Sequence, residues 1–296
     1  MRALGEVTAL GGSRGAGATG KYAWWLLRTT PRFVLGVSVL LLVILGATLA
    51  PWLGHYDPVE ARLSDTLEPP TSRHWFGTDR SGMDVFTRVL WAPRIDLGIA
   101  IGAVVLSVGV GVPAGLVAGY KRGLVANALS RLSDVVQAFP VFVLAMAFMA
   151  VTGASVRNVV WVLGFISIPV YLKLVRSEVL SLREREFVEA ARSIGTTTTG
   201  ILFRELLPNA VGTCVVQLSV NVGWNILLTA GLSFIGAGVP VPEPEWGIMI
   251  AIGAEDLVTG HWWPSVFPGA AMGLTVLGFA LVGEFFGQVL DPLKRR

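Results

Sequence analysis

Long uncharged runs alternate with short charged segments along the whole chain, and this alternation predicts its elements. Residues 33–53 hold 21 positions without a charge, enough for a helix to cross about 30 Å of hydrocarbon. The run is too long for a signal-peptide core and no clear small-residue cleavage site follows, so it reads as a retained span. Further runs predict spans at about 97–119, 135–156, 156–175, 210–234 and 264–289, which makes six. In the second, Ala103, Ser107, Gly111, Gly115 and Gly119 recur every four residues, a small-residue ridge that admits a close neighbour, and Pro113 predicts a kink. The fourth leaves 15 uncharged residues between Arg157 and Lys173, so both cations are expected to snorkel outward. Segment 54–93 is polar and Pro-bearing. Segment 236–263, with Glu243, Glu245, Glu255 and Asp256 and no Lys or Arg, is expected to be a loop.

The most charged interruption, 181–208, predicts a hairpin between the fourth and fifth spans. Ser181 and Glu184 have the spacing of a capping box, which predicts a helix start worth about 1 kcal/mol. Leu180, Phe187, Ala191 and Ile194 form an apolar stripe at helical spacing, with Arg183, Arg185, Glu186 and Arg192 on the other faces. Gly195 suits the left-handed turn that ends such a helix, the Thr196 to Thr199 run offers caps for a second, shorter one, and Pro208 starts the next element.

Composition turns these runs into a membrane protein. The 296 residues are 53% hydrophobic and 15% charged, against about 25% charged in soluble domains, and the mean hydropathy is +0.66. Lipid offers no partners to open strand edges, so the fold class is an all-α polytopic membrane protein with six transmembrane helices. A single cysteine, Cys214, excludes a disulfide framework within the chain. The formal charge of +3 sits in the ends and loops, where it reads as topology and not as nucleic-acid binding. Placing the N-terminal tail, the 120–134 turn, the 173–208 hairpin and the C-terminus on one side collects 17 of the 23 Lys and Arg. Both termini are therefore expected in the cytoplasm.

Candidate chemistry is sparse. The Gly-rich segment 1–32 is expected to be a flexible tail. Its Gly11-Gly12-Ser13-Arg14-Gly15 spells a nucleophile elbow without the strand and helix that motif needs, and its Gly15 to Lys21 spells most of a phosphate loop with Tyr22 in place of the magnesium-holding hydroxyl. No catalytic residue and no metal site is expected: the His and Asp residues of 74–84 lack the spacing of a metal-ligand motif and any Cys, and read as a structured loop with an interfacial helix. Thr213, Gln217, Asn221, Asn225 and Thr229 step by four along the fifth span, and only the central three share a face. They either line a solute path, together with Gln137 of the third span, or hydrogen-bond between helices. Glu284 sits within two turns of the inner end of the sixth span, where an acid is tolerable.

Glu189-Ala190-Ala191, then Gly195, then Glu205-Leu206-Leu207-Pro208 resembles the EAA loop of ABC importer permeases. Three other segments resemble the dipeptide and oligopeptide branch: His74 to Asp84 (HWFGTDRSGMD), Ser133 to Pro140 (SDVVQAFP), and LSFIGAGV followed by Pro242, Pro244, Trp246 and Gly247. The chain departs from the family at Glu205, where an apolar residue or His is usual, and in part at Glu284 and Ala280. The resemblance spans about residues 30–295 and implies a type I ABC importer permease fold in the bacterial inner membrane. It implies a permease core over 94–290, preceded by tail 1–32 and by a first span with an extracytoplasmic loop at 33–93, and followed by a cytoplasmic end at 291–296. Within the core, 176–208 would be a coupling loop that docks on an ATPase through Glu189, Ala190, Ala191, Arg192, Gly195, Leu207 and Pro208. The implied partners are a second permease, two ATP-binding subunits and an extracytoplasmic solute-binding protein. ATP and Mg would be bound by the ATPase subunits, and no cofactor by this chain. The implied solutes are dipeptides or oligopeptides, with glutathione, nickel or another small solute as the alternative. An intramembrane enzyme would need convergent catalytic groups, and the spans contain no His and one interior acid. An ion-coupled carrier would normally show midplane acids or inverted repeats, and no repeat is evident.

Overall fold

The computed structural model describes residues 30–121 and 123–290, and within them the chain is a set of helices with no β-strand. The two enzyme-like patterns of the tail lie outside the described residues. In order, the helices are α1 (Pro31–Leu53), α2 (Val85–Trp91), α3 (Pro93–Tyr120), α4 (Leu124–Gln137), α5 (Val141–Thr152), α6 (Val156–Leu182), α7 (Glu186–Ser193), α8 (Leu207–Phe234), α9 (Trp246–Asp256) and α10 (Trp263–Leu290). Five apolar helices are long enough to cross a bilayer: α1, α3 continued from α2, α6, α8 and α10. A sixth crossing exists if α4 and α5 act as one broken span.

The core is built on the small-residue ridge of α3. A Cβ on Gly111 would lie 2.8 Å from the Ile168 carbonyl oxygen, one on Gly115 2.7 Å from that of Leu172, and one on Gly119 2.7 Å from Val179 Cβ. The ridge therefore has α6 as its neighbour, and the two helices are in close contact along Gly111 to Gly119, about two and a half turns. Tyr171, Val175 and Val179 of α6 are fully buried there with Leu116 of α3. α8 packs across both, and α10 holds α1 against the outside of the bundle.

Three expectations about elements need correction. The third span is not one straight helix: α4 and α5 meet at 89°. Pro140 has no N–H for a helical bond and biases Phe139 away from helical geometry, so the ladder stops at Ala138 and restarts at Val141. The fourth span runs to Leu182 and is 27 residues long, well beyond 156–175. Lys173 lies within it and pairs with Asp134 at 2.7 Å. Segment 236–263 is not only loop. It contains α9, whose first amides are capped by the fully buried Glu245, bonded by Gly247 N at 2.7 Å and Ile248 N at 2.8 Å. At 11 residues α9 is about 16 Å long, too short to cross a bilayer.

The 54–84 segment folds onto the same end of the bundle as α9. His74 is 1% exposed and shares a 2.9 Å hydrogen bond with Asp84, whose other oxygen accepts from Thr87 N and caps α2. This is the structured loop and short helix that the sequence suggested. Gly82 is obligatory: its φ is +72°, and a Cβ would fall 1.8 Å from the Arg62 carbonyl oxygen. Burial pushes the Asp79 carboxyl above its ordinary range, although it accepts bonds from the Met83 and Ser81 amides. Arg80 reaches across to Asp256 at 2.9 Å and Glu255 at 2.5 Å, and Trp263 Nε1 donates to the Thr78 carbonyl at 3.0 Å. The segment thus ties α2, α9 and α10 together.

Candidate functional site

The hairpin between α6 and α8 projects from the opposite end of α6. Ser181 is still inside α6, and α7 starts at Glu186 with Arg185 as its N-cap and no side-chain cap. The capping box at Ser181 and Glu184 is therefore not formed. The reason is that the packed face of α6 continues through that point, from buried Val179 to Leu182, which packs on the core, so packing overrides a local cap signal. Val188 and Ala191 are buried and Phe187 packs on the core, which anchors α7 by one face. Ile194, expected on that stripe, is 83% exposed, because it lies past the last turn of α7.

Gly195 has φ +78°, the left-handed turn expected of it, and the Thr196 amide returns to the Ala191 carbonyl at 3.0 Å. Thr197 accepts from Gly200 N and caps the next turn, Thr198–Gly200. Pro208 stands in the first turn of α8, as expected, but no gap precedes it. Thr198–Gly200 leads into a π-helical segment, Ile201–Leu206, which runs directly into α8. Pro208 lacks the N–H that would bond Arg204, and its ring crowds that carbonyl, so the preceding turn widens and Leu207 N bonds Leu202 O.

The expected docking residues divide by position. Glu189, Ala190, Gly195 and Pro208 are exposed, while Ala191 faces inward and Leu207 is half-buried. Arg192 is exposed, but its Nε donates to the Tyr120 hydroxyl at 3.2 Å and its guanidinium lies 5.1 Å from the Tyr120 ring. Arg183 donates to the Gly119 carbonyl at 2.9 Å. Both arginines fasten the hairpin to the end of α3, the helix in closest contact with α6. The sequence did not reveal this connection, because 64 and 72 residues separate the partners.

The polar residues of α8 also separate. Gln217 and Asn221 line a cavity of about 720 Å³ with Gln137, Ser167 and Trp224, between the α4–α5 break, α6, α8 and α10. Gln217 Nε2 donates to Asn221 Oδ1 at 3.3 Å, and Asn221 Nδ2 is buried with no hydrogen-bond partner among the described residues. Gln137 accepts from Lys173 Nζ. Asn225 does not reach the cavity: it is fully buried, its Nδ2 3.4 Å from the Ala100 carbonyl oxygen of α3, and Thr229 bonds back to its own helix. Gln217 and Asn221 thus face the cavity, whereas Asn225 and Thr229 spend their polar groups on hydrogen bonds inside the bundle.

A model of the binding-protein-dependent transport system inner membrane component family matches residues 111–296, more than half of the chain. This chain belongs to that family. A second model, the N-terminal TM domain of oligopeptide transport permease C, matches residues 19–70. A dipeptide transport system permease protein of Alkalihalophilus pseudofirmus is 36% identical over 88% of this chain and 85% of its own length. A glutathione transport system permease protein of Pectobacterium atrosepticum is 39% identical over 90% and 88%. A probable D,D-dipeptide transport system permease protein of Escherichia coli is 34% identical over 90% of each. The fold is similar to that of the inward-facing MetNI methionine ABC transporter, with a TM-score of 0.54, 16% identity and coverage of 69% of this chain and 94% of that one. The permease is thus a transport subunit of the ABC importer class, and its family works with ATPase and binding-protein partners.

Proposed function

We propose that this permease carries short peptides, the dipeptide and oligopeptide class, into the cell as one of two permease subunits on two ATP-binding subunits. An extracytoplasmic binding protein delivers the solute at the 54–84 and α9 end. Both termini and the 176–208 loop lie in the cytoplasm, where the ATPase subunits bind ATP and Mg. The observation that carries this reading is the α7 hairpin, which is anchored inward by Val188 and Ala191 and presents Glu189, Ala190 and Ile194 outward. An 83% exposed isoleucine beside a small residue is surface that another protein can cover. The dipeptide and glutathione relatives support a peptide solute, glutathione being itself a small peptide. The cavity suits it: Gln137, Gln217, Asn221 and Ser167 offer hydrogen bonds without demanding one charge, as a solute of varied side chains requires. The mechanism is a two-state rocking of the α3 and α6 pair, biased by nucleotide through α7, that opens the cavity to one side and then the other.

The test is uptake of labelled dipeptides into proteoliposomes holding this permease and its co-purifying subunits. The expected result is uptake that needs ATP and the ATP-binding subunits. Uptake by the permease pair alone, driven by an ion gradient, would overturn the reading.

A further inference from the structure

Helices α1 and α10 touch near the inner end of α1, where two glycines remove the side chains between them. A Cβ on Gly36 would stand 2.8 Å from Leu281 Cβ, and one on Gly278 3.0 Å from the Leu40 side chain. Toward the other end, an apolar groove of about 380 Å³ opens between them. Val39, Val43 and Gly46 line it from α1, and Phe267, Ala271 and Leu274 from α10, each set at the i, i+4, i+7 spacing of one helix face. Its floor includes Trp246 of α9, and every side chain that lines it is apolar.

A cation stands at the rim. Arg94 follows Pro93, which lines the groove, and its Nε donates at 2.9 Å to the carbonyl of Ala47, the neighbour of Gly46. Its guanidinium lies 4.1 Å from the Trp91 ring. Among the described residues these are its partners, and no carboxylate is one of them. Ala47 is six residues from the end of α1, about 9 Å along the axis, while Val39 is eight residues deeper, about 12 Å. The charge therefore sits near the membrane interface and the groove descends from it into hydrocarbon. At this interface Arg94 is exposed with no carboxylate of the described residues beside it, and an aromatic ring with an arginine fixed beside it is suited to a phosphate.

We propose that this groove is a phospholipid site. The phosphodiester of one lipid, in the leaflet on the side of the 54–84 segment, rests on Arg94 and Trp91, and one acyl chain descends between α1 and α10 onto Trp246. Charge complementarity selects this occupant: a protein helix would fill the apolar walls but leave Arg94 without an anion. The inference rests on α1, α3 and α10 lying in the bilayer and not on the solute or the ATPase coupling.

The test is native mass spectrometry of the assembled, delipidated complex titrated with palmitoyl-oleoyl phosphatidylglycerol, which needs no transport assay. The expected result is one tightly retained lipid, held about tenfold or more weakly by Arg94→Gln, largely retained by Arg94→Lys, and lost in Ala271→Trp, whose ring fills the groove. Inorganic phosphate should not compete, since it supplies no acyl chain. Equal lipid retention by wild type and Arg94→Gln would overturn the proposal, and Arg94→Gln decides it even if Ala271→Trp fails to fold. A disulfide between Ala270→Cys and a cysteine scanned along the second permease would also overturn it, because the groove would then be a protein contact.

Discussion

Replacing Gly195 isolates the bend of the hairpin from everything around it. A Cβ at this position meets nothing within 4 Å, so a substitution creates no clash, and its whole cost is the backbone conformation at φ +78°. For alanine that cost is about 1–2 kcal/mol, a factor of about 5–30 against the bent hairpin. Valine, branched at Cβ, costs more, whereas asparagine tolerates the left-handed region and costs less. Because nothing packs on Gly195, insertion and thermal stability of the bundle should be unchanged. ATP-driven uptake in proteoliposomes, normalised to inserted permease, should fall in the order Gly, Asn, Ala, Val, with Val near background. Wild-type uptake by Gly195→Val, or a loss in Gly195→Asn as large as that in Gly195→Val, would refute the argument that a left-handed bend sets the height of α7.

Four further outcomes follow from the same structure. Glu189→Lys should abolish uptake without lowering the amount of inserted permease, since Glu189 is exposed on α7, and a binding assay with purified ATPase subunits should report the lost docking. Gly115→Leu should destabilise the bundle by about 1–3 kcal/mol or more, because its Cβ alone would lie 2.7 Å from the Leu172 carbonyl oxygen, and the melting temperature in detergent would show it. In a Cys214→Ala background, Gln217→Cys should react with a polar thiol reagent in the assembled complex and Asn225→Cys should not, because only the former lines the cavity. Asp79 adds a pH dependence with a definite sign: its folded value is raised by burial, so its contribution to stability is complete below the ordinary carboxylate range, near about pH 4, and is lost as the pH rises through the raised value. Asp79→Asn should remove that slope from a pH series of melting temperatures.

Much of the fold was legible because a bilayer permits few solutions. Uncharged length alone located α1, α8 and α10 to within a few residues, and the glycine ridge of α3 announced a close neighbour although it could not say which. What the sequence concealed was set by packing. Ser181 and Glu184 carry a cap signal, yet α6 passes through it because its buried face continues. Pro140 falls inside the single span expected at 135–156, while the chain turns by 89° there. The prolines before Trp246 suggest a loop, and the helix behind them depends on Glu245, whose role as a cap is evident only once it is seen buried. In the candidate site, Gly195 and the Thr197 cap were readable from local chemistry. That Asn225 packs on α3 while Asn221 lines the cavity was not, because both lie on one face of α8 and only the position of α3 separates them.

The central claim is that the exposed face of α7 meets the ATPase. An Ala190→Cys permease, with Cys214 replaced by alanine, should form a cross-link with the ATP-binding subunit whose yield changes between the nucleotide-free and ATP-bound complex. An actively transporting complex in which position 190 is modified from the extracytoplasmic side of sealed vesicles, and is never captured by the ATP-binding subunit, would contradict the account.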